Sequence, residues 1–135
     1  MKKTLTMMLM DPPYEDSRTA TALRIADAAI KKGHHVNVFA FEGAVSLSLN
    51  GQKPHPNPVH ETTVEEENHP TTAGFVQALF DSARDQGVQL DWVNCGFCVA
   101  ERGAENALEA TRKGGPPDFA KMLENTHTTL VIATK

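Results

Sequence analysis

The chain has 135 residues, enough to bury one core without disulfide or metal staples and short for two ordinary domains. With 13 Lys and Arg against 17 Asp and Glu, its formal charge is −4 and no basic cluster stands out. That excludes nucleic acid and anionic membrane surfaces as expected partners. No stretch approaches the ~18 apolar residues of a membrane helix. Two cysteines are too few for a secreted disulfide scaffold, so a soluble chain in the reducing cytoplasm is expected.

In chain order, the opening MKKTLTMMLMDPP has two lysines before an apolar run, but the run is short and meets Asp-Pro-Pro with no small-residue cleavage site. Leu5 to Met10 therefore reads as a strand buried on both faces. SRTATALRIADAAIKKG follows, with Ser17 as the expected N-cap, Ala22, Leu23, Ala26, Ala29 and Ile30 at helical spacing, and Gly33 as the stop. HHVNVFAF is the next strand. Strand, helix and strand in succession form a βαβ unit, which predicts a mostly parallel sheet covered on both faces.

From Gly43 to about Ala73 the chain turns polar. Ala44 to Leu49 has room for one or two helical turns. Beyond it lie four prolines, His55, His60 and His69, and an acidic triplet without apolar period. A connection this long inside one domain suggests a lid, a binding loop, an oligomer contact or a solvated excursion. Regularity returns with a helix over TAGFVQALFDSARDQG and a strand over VQLDWVN. AENALEATRKGG reads as a helix, PPDFAKMLENT as another with prolines at its entry, and TLVIAT as the last strand. Four strands are evident, and a short fifth has room near Lys113 to Gly115. Residues 1–135 thus form one domain, with residues 43–73 as a long polar loop.

Both cysteines lie in VNCGFCVAERG. Two thiols at this spacing can be half a zinc site, a redox disulfide, or one working thiol beside a bystander. Cys95 falls at the end of an expected central strand, before a helix, the edge where open α/β sheets gather ligands. Helix N–H groups and partial positive charge stabilise a thiolate, the reactive form. Gly96 lets backbone N–H groups come close, and Arg102 either supports an anion or braces the loop. The competing reading is that small apolar cysteines pack well in such a turn. A structural zinc site wants four ligands, and one Cys pair with scattered histidines does not supply them. A thioredoxin-like dithiol would follow the first strand of its fold, not the third. Asp11 and Tyr14, after the first strand, fall on the same carboxyl edge and are candidates to line the pocket, Tyr14 equally for packing or a subunit contact. Neither GxGxxG nor a P-loop is present, so no organic cofactor is expected.

Three segments together resemble the small single-subunit branch of the DsrE/DsrF-like family. They are DPPYEDSRTATALRIADAAIKKGHHVNVFAFEGAV, the Gly-Gln-Lys-Pro loop in LNGQKP, and CGFCVAERG with its Cys-x-x-Cys-x-x-x-Arg-Gly pattern. The resemblance implies a three-layer α/β/α sandwich around a mostly parallel four- to five-stranded sheet, in homotrimers or homohexamers. It also implies that Cys95 stands where TusD-like sulfur-relay subunits carry a persulfide, with Arg102 and Gly103 following at the same interval. The expected partners are then sulfur-donor and sulfur-acceptor proteins or small sulfane-sulfur compounds, with Cys98 as a resolving thiol or a packed neighbour. The alternative is a non-catalytic oligomeric binding module whose cysteine pair senses metal or oxidant.

Overall fold

A computed structural model describes residues 1–134. The alternation of side chains along each strand decides how the two layers of core form. Strand β1 (Thr4–Leu9) pairs in parallel with β2 (His35–Ala40) on one side and with β5 (Thr128–Ile132) on the other. Beyond β2 come β3 (Leu90–Cys95) and β4 (Arg112–Gly114), also parallel, giving five strands in the order β4-β3-β2-β1-β5. Cys95 therefore ends a strand second from the edge, with β2 at the centre. Successive side chains point to opposite faces. Met7, Leu9, Val36, Val38, Ala40 and Trp92 build one core, and Phe39, Val93 and Cys95 join the other.

Helices α1 (Ser17–Lys31) and α3 (Thr72–Gln86) pack together on the first face through the periodic residues Ala22, Leu23, Ala26, Ile30, Val76, Leu79 and Ala83. Helix α1 is capped by Asp16, whose carboxylate accepts the Arg18 N–H at 2.7 Å. Ser17, the expected cap, is instead the first helical residue, because a carboxylate one position earlier reaches the orphan N–H groups. Gly87 ends α3 in the left-handed conformation at φ +66°, where a side chain would be strained. On the second face, α4 (Gly96–Arg102) and α5 (Pro116–Glu124) bring Cys98, Val99, Met122 and Phe119 against Phe39, whose ring stacks on Phe119 and Phe41.

A longer expected element is also corrected. The helix expected over Ala104–Gly115 is absent. Helix formation starts earlier, at Gly96, and stops at Gly103, which takes φ +61°. The freed segment pairs with the stretch before the Gly-Gln-Lys-Pro loop instead. Leu108 N–H donates to the Ser48 carbonyl at 2.8 Å, and Asn50 N–H to the Asn106 carbonyl at 2.8 Å. The fifth strand does exist, over Arg112–Gly114. Arg112 fastens it by a bidentate pair to Asp91, 2.9 Å at each nitrogen, and a 3.0 Å bond to Asp118.

The polar connection is also more ordered than its composition suggests. After a 3-10 helix at Glu42–Ser46, Asn57 and Thr62 form an isolated bridge. The acidic triplet then forms α2 (Val64–Glu67), started by a capping box between Thr63 and Glu66. Gln52 of the Gly-Gln-Lys-Pro loop is the staple. Its Nε2 donates to the Ser46 carbonyl at 3.0 Å, and its Oε1 accepts the Ala73 N–H at 2.8 Å, tying the 3-10 helix to the start of α3.

Candidate functional site

The cysteine pair is set by the junction of β3 and α4. Cys95 closes the strand and is the N-cap of the helix, and Cys98 lies in the first turn. No disulfide joins them. Both are buried, Cys95 at 2% and Cys98 at 5% exposure, among Phe39, Val45, Val93, Val99 and Met122. Gly96 starts the helix beside β4, with the Gly114 carbonyl 3.4 Å from where a Cβ would stand. Phe97, between the cysteines in sequence, faces outward and is 76% exposed.

Cys98 is held from across the chain. The backbone N–H of Glu42 donates to its Sγ at 3.2 Å. Burial pushes the Cys98 thiol up, and a hydrogen bond with Cys95 adds to this, against the smaller opposing effect of the Glu42 N–H. Glu42 adopts φ +53°, a conformation that costs a non-glycine residue energy. The next position must be glycine for a different reason. A Cβ on Gly43 would stand 2.8 Å from Pro12 Cδ. The turn after β2 is thus pressed between the loop after β1 and the cysteine helix.

The Arg102 guanidinium is directed at Glu42, with Nη2 to Oε2 at 3.1 Å, and at Glu101, with Nη1 to Oε2 at 3.7 Å. This is the bracing geometry. The pair forms one wall of an open cavity of about 620 Å3, lined also by Met10, Pro12, Phe41, Ser46 and Thr134. Asp11 lies at the carboxyl end of β1 and shares this side of the sheet through Pro12. Tyr14 is placed elsewhere. It is 69% exposed, at φ +66°, and lines a groove between α1 and the start of α3 with Leu23, His69 and Phe75. The loop histidines do not gather, and no three His, Cys, Asp or Glu side chains among the described residues converge as a metal site.

Sequence reasoning missed three contributors. Glu42 was visible only as the acidic residue between Phe41 and Gly43, with no role attached. Gln52 lay inside the Gly-Gln-Lys-Pro loop with no role attached. Asn94, beside Cys95, carries a buried network, accepting from Trp92 Nε1 at 3.1 Å and donating to Ser48 Oγ at 3.0 Å. No sequence signal announced that pairing, because Ser48 is 46 residues away.

A five-stranded parallel sheet with helices on both faces and a thiol pair at a strand end defines the class: an α/β protein with two free cysteines at its carboxyl edge. The profile of the DsrE/DsrF-like family matches residues 3–132, and the chain belongs to that family. An uncharacterized protein of Methanopyrus kandleri is 34% identical over 99 residues, which span 73% of this chain and 67% of that one. The crystal structure of the ychN protein from E. coli superposes with a TM-score of 0.71 at 19% identity, covering 98% of this chain and all of that one. A conserved protein of unknown function from Bacteroides thetaiotaomicron superposes at 0.57, with 15% identity, over 96% and 95% of the two chains. At such identities these two likenesses concern the fold. No helix among the described residues is long and apolar enough to cross a membrane.

Proposed function

We propose that this protein is a sulfur carrier that holds sulfane sulfur as a persulfide on Cys95 and yields it to an acceptor thiol. The observation that carries the reading is the asymmetry of the thiol pair. Cys98 is fixed by the Glu42 N–H and pushed toward its protonated form by burial. Cys95 ends the strand and caps the same helix, and in this reading it is the thiol that takes up sulfur while Cys98 keeps its proton. The family's association with sulfur relay agrees with this chemistry.

The exchange needs no oxidant. The Cys95 thiolate attacks the outer sulfur of a donor persulfide R–S–SH. A Cys95–S–SH bond forms, the donor S–S bond breaks, and RS⁻ leaves. An acceptor thiolate then attacks the outer sulfur and restores the Cys95 thiolate. Because both thiols are buried, each transfer requires the Glu42 turn to open locally. Donor and acceptor would be sulfur-relay proteins or small sulfane-sulfur compounds.

The test is intact mass after incubation with polysulfide, for the parent, Cys95→Ser and Cys98→Ser proteins. The parent and Cys98→Ser should gain the mass of sulfur, and Cys95→Ser should not. Equal gain by Cys95→Ser would sink the assignment. Two free, buried thiols three residues apart also favour a second reading, a dithiol sensor. Oxidation to a Cys95–Cys98 disulfide with no sulfur gain in any variant would select it.

A further inference from the structure

The loops that lead into β1, β2 and β5 meet at the amino edge of the sheet, a strand's length from the cysteines. Two of their histidines are latched to the start of β1. His34 Nδ1 accepts the Lys3 N–H at 3.2 Å, and His127 Nδ1 accepts the Thr4 N–H at 3.0 Å. An imidazole whose Nδ1 lone pair is used in this way carries its proton on Nε2 when neutral. Each ring therefore keeps one polar group to offer, and it is a donor.

Both rings wall an open pocket of about 370 Å3. Its floor is aliphatic, made of Leu5, Ile25 and Ala29, which rest half-buried on the main core. Lys3 and Lys32 stand on its rim, and no carboxylate lines it, in a chain with 17 Asp and Glu. Three other lysines are partnered: Lys31 by Asp27, Lys113 by Glu105, and Lys2 by the Gly87 carbonyl. The Lys3 and Lys32 ammonium groups have no acceptor among the described residues. The backbone acceptors on this edge are already spent. The Lys3 carbonyl takes the His35 N–H, the Thr4 carbonyl takes the His127 N–H and Thr126 Oγ1, and the Ala29 carbonyl takes the His34 N–H. What is left around the pocket is a set of donors and positive charge above an apolar floor. A metal ion does not suit it, because each ring has one nitrogen engaged and the other protonated. No three His, Cys, Asp or Glu side chains converge among the described residues either.

We propose that this pocket binds a small organic anion, a monocarboxylate with a short aliphatic body. The Nε2–H groups of His34 and His127 supply its hydrogen bonds, Lys3 and Lys32 balance its charge, and its chain covers Leu5, Ile25 and Ala29. Inorganic phosphate would satisfy the donors but leave the apolar floor in water. A neutral alcohol would cover the floor but leave the positive charge uncompensated. The site does not depend on the sulfur-carrier reading, since it lies at the edge of the sheet opposite to Cys95.

The test is an amide NMR titration of the parent protein with hexanoate, beside hexylammonium, 1-hexanol and inorganic phosphate. Hexanoate should shift the Lys3 and Thr4 amides, whose N–H groups hold the two rings, and the other three should shift them far less at equal concentration. The exposed double variant Lys3→Gln with Lys32→Gln should weaken hexanoate about tenfold, the weight of two exposed charge pairs. His127→Asn keeps an acceptor for the Thr4 N–H and removes the Nε2 donor, so it should weaken hexanoate about fivefold. Should that variant melt early, the lysine variant alone decides. Hexanol or phosphate binding as well as hexanoate overturns the assignment. So does hexanoate that leaves the Lys3 and Thr4 amides unmoved, or that binds the lysine variant as tightly as the parent.

Discussion

Glu42 and Cys98 are 56 residues apart, yet the backbone N–H of one donates to the Sγ of the other at 3.2 Å. The same Glu42 binds Arg102 through its side chain at 3.1 Å, so one residue in a left-handed conformation ties the turn after β2 to both ends of the cysteine helix. Release of this tie should expose the thiols. Arg102→Ala is expected to raise the alkylation rate of Cys98 several-fold, read by timed labelling with iodoacetamide and peptide mass. An unchanged rate in a protein that melts like the parent would show that the ion pair does not control access.

The raised Cys98 thiol makes a prediction for alkaline pH. Its folded value lies above its unfolded one, first because of burial. The corresponding stability is then fully present below the unfolded thiol value of about 8.5 and is lost as pH rises toward the folded value. Urea midpoints of the parent should fall between pH of about 7.5 and about 10. In Cys98→Ala that fall should be shallower. Parallel slopes in the two proteins would remove Cys98 as the cause.

Asn94 is 1% exposed and Ser48 fully buried. Asn94→Ala would strip Trp92 Nε1 of its acceptor and Ser48 Oγ of its donor. Each buried group left unsatisfied costs about 1–3 kcal/mol. A loss of roughly 2–4 kcal/mol is expected in denaturant unfolding, beyond what Asn→Ala produces at an exposed site. A loss below about 0.5 kcal/mol would mean that water replaces the network.

Gln52→Ala should loosen the start of α3 and leave the sheet intact, because the Gln52 side chain bonds the Ser46 carbonyl and the Ala73 N–H. The expected stability cost is about 1–2 kcal/mol. Faster amide exchange should be confined to the 3-10 helix and the first turn of α3. Exchange spread evenly over the chain would contradict a local staple.

Much of the architecture was legible in local pattern. Continuous apolar runs mark β1 and β2, and the spacing of Ala22, Leu23, Ala26 and Ile30 marks α1. Gly87 marks the end of α3, and Pro116 and Pro117 mark the entry to α5. These are properties of single segments, where side-chain period and backbone preference decide. The Ala104–Gly115 segment shows the limit. Its Ala, Glu and Leu favour a helix, but Ser48 and Asn50 take its backbone hydrogen bonds, and tertiary pairing overrides weak propensity.

The cysteine spacing and its place after a strand were likewise set out in the chain itself. Only the folded structure decided that both thiols are buried, that the Glu42 N–H covers Cys98, and that Arg102 turns to Glu42. It alone brought Thr134, near the end of the chain, beside Asp11. Those relations join groups far apart in sequence. They exist because β2, β3, β1 and β5 lie side by side in parallel and deliver their following loops to one edge. A local pattern carries no record of which distant loop will arrive there.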